Sequence, residues 1–293
     1  MRLHLVDGTY ELYRAHFSHR PAHFDPEGRD RKATVGVVQS LLALLEDRAE
    51  APTHLAVAFD NPITCFRNRL FAGYKTDDGV PPELRSQFDP VEEAVSALGI
   101  RVWSMRDHEA DDALATAAAR FADQVDEVRI LTPDKDLGQC LRQGRIVQVD
   151  RMRKKEIDEA GMRARWGVSP AQLPALLALT GDTADGIPGL PGFGEKGAAA
   201  VLAHFGSLAA IPDDPAKWDL ALRGKDRLAA ALAAQRDDAV LYEKLATLAT
   251  DAPIDQDLAA LAYLGTPKAQ FLTWCDRIGV EGSLRVRPRR WLP

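Results

Sequence analysis

The first 150 residues alternate between short apolar runs and longer stretches in which apolar positions recur every three or four residues. The short runs are rich in Leu, Val and Ile, and they predict buried strands at residues 3–6, 54–59, 101–104, 127–132 and 146–149. The longer stretches predict helices at residues 10–19, 34–46, 90–98 and 113–121. Strands that alternate with helices in this way indicate an α/β fold, in which helices cover both faces of a mostly parallel sheet.

The pattern changes beyond residue 150. A basic segment at residues 151–165 is expected to be largely helical, and from residue 169 onward the spacing indicates helices only. A single hydrophobic core stops growing at roughly 250–300 residues, so a chain of 293 residues favours two lobes. We therefore predict an α/β core over residues 1–165 and a helical lobe over residues 166–293. The basic tail at residues 285–291 is expected to be a disordered end.

Composition and charge describe an ordinary globular protein, with 46% hydrophobic and 27% charged residues. The net charge of −6 argues against nucleic acid when taken alone, but the distribution of charge is more informative than its sum. Three widely separated cysteines indicate free thiols in a reducing compartment. No apolar run approaches the roughly 20 residues of a membrane helix, and the N-terminus reads as a strand, so we expect a cytoplasmic protein.

Acidic residues follow the predicted strands at their carboxyl ends, where sites are built in open α/β sheets. Seven are expected to converge there: Asp7, Asp60, Asp134 and Asp136 after strands, and Glu109, Asp111 and Asp112 at the start of a helix. Two like charges about 4 Å apart cost about 4 kcal/mol at an effective dielectric near 20, so such a cluster requires cations. Carboxylate oxygens suit hard ions such as Mg²⁺ or Mn²⁺.

A second set of residues in the helical lobe extends this pattern. Asp182 and Asp185 are three residues apart and face the same way on a helical turn. Downstream, Gly192 and Gly194 precede a predicted helix at residues 195–204 that carries Lys196 near its start. Glycines allow close approach of a phosphate, and a helix N-terminus offers free N–H donors to it.

Six motifs in this order resemble the 5′→3′ exonuclease and flap endonuclease family, in the form of the N-terminal nuclease domain of bacterial DNA polymerase I. The motifs are LVDG at 5–8, AFD at 58–60, GYK at 73–75, EADD at 109–112, LTPDKDL at 131–137, and a segment from TGD at 180–182 to GFGEK at 192–196. No polymerase domain follows, so the chain resembles a stand-alone version. The resemblance implies a PIN-like nuclease core, with an arch or gateway at residues 61–90, and a helix–three-turn–helix at about residues 186–206.

The resemblance also implies two divalent metal ions, Mg²⁺ or Mn²⁺, that hydrolyse phosphodiesters by in-line attack of water. By position, the first ion would be held by Asp7, Asp60, Glu109 and Asp111. The second would be held by Asp134, Asp136 and Asp182, with Asp112 and Asp185 nearby or acting through water.

Further residues match family positions that face DNA. Lys75 would help to neutralise the scissile phosphate, and Tyr74 would stack on a base, although a packed tyrosine and a solvated lysine are the plain alternatives. The other matching positions are Tyr13, Arg14 and Arg67. The segment from Gly192 through Gly194 to Lys196 would grip duplex DNA and hold K⁺. The expected partners are DNA with a 5′ flap, nick, gap or free 5′ end, and a DNA polymerase or ligase; we expect a monomer.

Two positions depart from the family pattern. Asp78 stands where an arginine is usual in the arch, and Gly186 stands where asparagine is common. Two other functions remain open: a DNA-structure-binding protein with weakened catalysis, against which the nine retained acids argue, and another α/β metal-dependent phosphohydrolase that acts on small molecules. Competition by duplex DNA would separate the latter from a nuclease.

Overall fold

The computed structural model describes residues 1–293 and contains a six-stranded central sheet in the order β3-β2-β1-β4-β5-β6. The first five strands run parallel, and β6 is antiparallel to β5. The strands are β1 (Arg2–Asp7), β2 (His54–Asp60), β3 (Arg101–Met105), β4 (Glu127–Leu131), β5 (Ile146–Asp150) and β6 (Lys155–Ile157). The predicted mostly parallel α/β sheet is confirmed.

Helices pack on both faces of this sheet because its strands carry apolar side chains on both sides. In β1, Leu3 and Leu5 point into the core beneath one face, and Val6 points into the core beneath the other. Helices α1, α2 and α5 cover the Val6 face, and α6 covers the opposite face. Their bounds are α1 (Gly8–His16), α2 (Lys32–Glu46), α3 (Phe66–Leu70), α4 (Pro82–Arg85), α5 (Phe88–Ala97) and α6 (Ala110–Phe121).

A third hydrophobic cluster builds the helical lobe, and α8 lies at its centre with every residue from Leu173 to Leu179 buried. The helices of this part are α7 (Glu159–Trp166), α8 (Leu173–Thr180), α9 (Glu195–Phe205), α10 (Lys225–Ala234) and α11 (Arg236–Ala246). A final helix, α12 (Lys268–Ile278), instead packs against α5 and joins the core of the α/β part. None of the helices has the length and apolar character required to cross a membrane.

Three local expectations differ from the structure. The basic segment after residue 150 is not one helix: a turn and β6 precede α7, because Asp150 accepts hydrogen bonds from the N–H groups of Met152 and Arg153 and turns the chain. The tail is packed rather than disordered, since β8 (Trp291–Leu292) pairs with β7 (Thr266–Pro267). Residues 61–89, for which no helix was predicted, contain the short helices α3 and α4 and the start of α5.

Candidate metal centre

Two carboxylates end the neighbouring parallel strands β1 and β2. Asp7 caps α1 by accepting the N–H of Tyr10 at 2.8 Å, and its other oxygen accepts the hydroxyl of Thr132 at 2.9 Å. Asp60 Oδ1 accepts the backbone N–H of Ala110 at 2.7 Å, which holds the start of α6 against β2. Parallel pairing therefore brings both side chains to one edge of the sheet.

The start of α6 adds three acids to this edge. Glu109 is the N-cap residue, and its backbone N–H donates to Asp112 Oδ2 at 3.0 Å. Asp111 lies in the first turn between them. The helix N-terminus favours negative charge, and the basic side chains of Arg67 and Lys75 pair with two of these carboxylates.

The chain after β4 supplies two more carboxylates. Asp134 starts a short 3-10 helix, and its Oδ1 accepts the N–H of Asp136 at 2.9 Å. The buried amide of Gln148 in β5 donates to the carbonyl oxygens of Thr132 and Asp134. This glutamine fixes the backbone direction of the turn and was not predicted from the sequence.

The helical lobe contributes the last two acids. A pair of backbone hydrogen bonds between Asp182 and Ile187, at 2.7 and 2.8 Å, closes the loop that carries Asp182 and Asp185. Carboxylate oxygens of Asp136, Asp182 and Asp185 lie within 4.8 Å of one another. Asp136 Oδ1 is buried and accepts no hydrogen bond, as expected for an oxygen that is available to a cation. The donor set consists of oxygen alone and fits a hard divalent ion.

The carboxylates at the sheet edge share one electrostatic environment. The pKa of Asp7 is raised to about 7, chiefly by burial and also by the charges of Asp60 and Asp134, against the hydrogen bond from the N–H of Tyr10. Burial also raises the pKa of Asp111 well above its ordinary value, together with the charges of Asp134 and Asp7. Each ionised carboxylate makes ionisation of its neighbours less favourable, and a bound divalent cation would stabilise their charged forms.

Two lysines neutralise part of this charge. Lys75 Nζ lies 2.7 Å from Glu109 Oε1 and 2.9 Å from Asp185 Oδ1. Lys135 Nζ lies 2.5 Å from Asp182 Oδ2 and 3.5 Å from Asp136 Oδ1. Lys75 was singled out from the sequence, whereas Lys135 was not, although its position between two aspartates was a usable signal.

The placement of Arg67 argues against the predicted DNA contact. Its side chain is 1% exposed, and all its N–H groups are used within the protein. It donates to both oxygens of Asp112 at 2.7 and 2.8 Å, to Glu109 at 2.8 Å, and to the carbonyl oxygens of Leu245 and Thr247. Because Asp112 is fully buried in this ion pair, it is also poorly placed for the metal role predicted for it.

Tyr74 is likewise turned inward. It is 3% exposed, and its hydroxyl donates to Glu109 Oε2 at 2.8 Å. Packing, the plain alternative for this residue, therefore describes its place here, and the expected stacking on a base is not available without rearrangement. The ring instead helps to orient Glu109.

The remaining predicted DNA contacts lie outside the acidic cluster. Tyr13 is partly buried and packs edge-on against Phe88. Arg14 pairs with Glu11 and donates to Ser40 at 3.0 Å. Both residues belong to α1, which starts at the site.

The glycine-rich turn before α9 is open to solvent. Gly192 has a φ of +89°, and Gly194 is the N-cap residue with no atom within 4 Å of the position of a Cβ. Lys196, in the first turn, is exposed and makes no ion pair. These features are compatible with an anion at the helix N-terminus.

Gly186, a position that departs from the family pattern, meets the arch region. It has a φ of +76°, and a Cβ there would lie 2.1 Å from the carbonyl oxygen of Gly73. The N–H of Lys75 donates to the carbonyl oxygen of Asp185 at 3.1 Å in the same contact. Glycine at this position therefore permits the close approach that brings Lys75 to the acids. Asp78, where the family usually has arginine, is exposed.

Comparison with known proteins covers most of the chain. A model described as the 5′-3′ exonuclease N-terminal resolvase-like domain matches residues 2–167, and one described as the 5′-3′ exonuclease C-terminal SAM fold matches residues 168–269. DNA polymerase I of Bacillus caldotenax is 33% identical over 291 residues, which cover 97% of this chain and 32% of that protein. DNA polymerase I of Pseudomonas aeruginosa is 37% identical over 277 residues, 92% of this chain and 29% of that protein. The chain spans about a third of the length of these relatives.

Solved structures share the fold. The T5 D15 protein co-crystallised with metal ions superposes with a TM-score of 0.68 at 20% identity, covering 95% of this chain and 98% of that chain. The catalytic core of Rad2 in complex with DNA substrate gives a TM-score of 0.62 at 16% identity, covering 95% of this chain and 88% of that chain.

Proposed function

This chain belongs to the 5′-3′ exonuclease family, and from that premise we propose that it is a structure-specific 5′ nuclease, cleaving DNA phosphodiesters with two divalent metal ions. The observation that carries the proposal is the convergence of carboxylates from both parts of the chain, with oxygens of Asp136, Asp182 and Asp185 within 4.8 Å of one another. Lys75 and Lys135 compensate only part of the negative charge of the whole set of carboxylates, and buried charges that lack a partner are costly.

The acids divide into two ligand sets in this proposal. Asp7, Asp60, Glu109 and Asp111 would hold one ion, and Asp134, Asp136, Asp182 and Asp185 would hold the other. When bound, Mg²⁺ or Mn²⁺ supplies an activated water and neutralises charge on the scissile phosphate. Lys75, between Glu109 and Asp185, is placed to support that phosphate from the arch side.

Binding of duplex DNA is assigned to helices α8 to α11, while the chemistry depends on carboxylates of both the α/β part and the helical lobe. The exposed N-terminus of α9, with Gly192, Gly194 and Lys196, would contact the phosphate backbone. The predicted helix–three-turn–helix at about residues 186–206 would hold K⁺. Tyr13 and Arg14 would contact the DNA strand near the metal site. We further propose that the protein acts as a monomer on cytoplasmic DNA and hands its product to a DNA polymerase or ligase.

The test is cleavage of 5′-labelled flap, nicked and blunt duplex DNA in Mg²⁺ and in Mn²⁺, with product lengths mapped. We expect Asp134→Ala and Asp182→Ala to retain DNA binding and to lose hydrolysis by orders of magnitude. Asp255→Ala is the matched control and should cleave normally, because Asp255 is exposed and follows Ile254, whose carbonyl oxygen accepts from Arg120 near the C-terminal end of α6. Unchanged turnover in either site variant would remove that residue from the proposed centre.

The other two functions have their own signatures in the same assays. A wild-type protein that binds flap DNA but does not cleave it in either metal would be a DNA-structure-binding protein with weakened catalysis. Hydrolysis of a small phosphodiester that duplex DNA does not inhibit would indicate a phosphohydrolase for small molecules.

A further inference from the structure

Lys135 lies between the acidic cluster and the glycine-rich turn before α9. On one side, its Nζ contacts Asp182 and Asp136, two ligands of the second proposed metal. On the other, its side chain lines a cavity of 310 Å³ together with Gly181, Gly194 and residues of α8. The side chain is 30% exposed, so its ammonium group can leave the acids toward solvent.

We infer that Lys135 is a switching counter-ion, which neutralises Asp136 and Asp182 while no divalent ion is bound and turns to a DNA backbone phosphate when the ion enters. The inference rests on the proposed function and adds a DNA-contacting residue to it. Lys75 differs in its partners, because its Nζ contacts one carboxylate of each proposed ligand set, Glu109 of the first and Asp185 of the second.

Lys135 and a divalent ion cannot both bind Asp182 Oδ2, because they carry like charges and would occupy the same space. An ammonium group 2.5 Å from Asp182 Oδ2 occupies the position from which a cation would bind that oxygen, and like charges repel at this range. Entry of a divalent ion therefore displaces Lys135 from its partners. A freed lysine favours a new anion, and the cavity that it lines leads to Gly194, where α9 offers N–H donors to a phosphate.

The first test measures Mn²⁺ binding to the metal-free protein by electron paramagnetic resonance, without DNA. Removing the competing ammonium should strengthen binding, so we expect Lys135→Gln to bind Mn²⁺ at least about threefold more tightly than wild type. Lys135→Arg keeps the charge and should not tighten binding, and Lys268→Gln, at an exposed lysine on α12, should match wild type. Equal or weaker binding by Lys135→Gln would overturn the inference, because a merely structural lysine predicts that result.

The second test uses the wild-type protein and does not depend on whether a variant folds. Amine acylation is mapped by mass spectrometry, with Lys268 as internal reference. We expect acylation of Lys135 to rise at least about threefold when Mn²⁺ is added and to fall again when nicked duplex DNA is added with Ca²⁺. Acylation that does not respond to Mn²⁺ would contradict release from the carboxylates, and acylation that does not respond to DNA would contradict the phosphate contact.

The two hypotheses fail in different ways. If the wild-type protein binds no Mn²⁺, the metal-dependent nuclease itself is refuted. If it binds Mn²⁺ and cleaves DNA while the affinity of Lys135→Gln and the acylation of Lys135 stay constant, only the switching counter-ion is refuted.

Discussion

Removal of the Arg67 side chain should strongly destabilise the protein. It is 1% exposed and donates five hydrogen bonds: three to Glu109 and Asp112, and two to backbone carbonyls of the helical lobe. Burial opposes the charged form, but the hydrogen bond to Asp112 and the charges of both carboxylates hold the pKa of Arg67 above its ordinary value. The guanidinium is therefore charged, and against the effect of burial its hydrogen bonds and charge lower the pKa of Asp112.

The size of the effect follows from what is left behind. Arg67→Ala leaves Asp112, which is fully buried, without its ion-pair partner, and breaking a buried pair from one side costs about 3–5 kcal/mol. The carbonyl oxygens of Leu245 and Thr247 also lose a donor, which adds to the cost without being strictly additive. Since domains are stable by only about 5–15 kcal/mol, we expect a loss near the upper end of the range for one substitution.

The assay is denaturation in urea, followed by tryptophan fluorescence and by circular dichroism. Arg69→Ala is the matched control, because Arg69 lies on the same helix and pairs with Asp107 while 65% exposed. Exposed ion pairs contribute little to stability, so this variant should unfold at the same urea concentration as wild type. Arg67→Lys should fall between, since lysine keeps the charge but cannot span both oxygens of Asp112. Equal midpoints for Arg67→Ala and Arg69→Ala would refute the reasoning.

Three further outcomes are expected. The hydrogen bond from a buried histidine, with a neighbouring arginine, lowers the pKa of Glu50 to about 2 from 4.5. The stability that Glu50 contributes is therefore present above pH 4.5 and is lost as the pH falls toward 2. Glu50→Gln should flatten the plot of unfolding temperature against pH over that window, and a plot parallel to that of wild type would contradict this. Lys196→Ala should weaken DNA binding and reduce its salt slope by about one phosphate contact, whereas Lys268→Ala should leave the salt titration unchanged. Gly186→Ala places a Cβ 2.1 Å from the carbonyl oxygen of Gly73, so we expect hydrolysis to fall roughly 10–100-fold with Mn²⁺ binding retained; full activity would show that this contact relaxes at no cost.

Patterns with a short period were readable from the sequence. The five parallel strands were predicted from short apolar runs that alternate with helical stretches. The aspartates that follow these strands were expected to lie close together, since parallel strands bring their carboxyl ends to one edge of the sheet. Asp182 and Asp185 could be tied to that edge only through the resemblance to a family, because nothing local in the helical lobe indicates where it docks.

Partners that are distant in sequence could not be read in this way. Arg67 looks like any arginine on a short helix, and its carbonyl partners lie 178 and 180 residues further along the chain. Gln148 lies between two valines of β5, and its role depends on the carbonyl oxygens of the adjacent turn. The packed tail was also missed, because the pairing of Trp291 with Thr266 depends on the position of α12 rather than on local propensity.

The guanidinium of Arg67 also sets an order of events during synthesis. The arginine leaves the ribosome well before Leu245 and Thr247, so for that interval its hydrogen-bonding groups have no main-chain acceptors from the helical lobe. Glu109 is held by the same group, so the acidic edge reaches its final geometry only after about 250 residues have been translated. The acidic edge is thus completed by contacts that the second half of the chain supplies to the first.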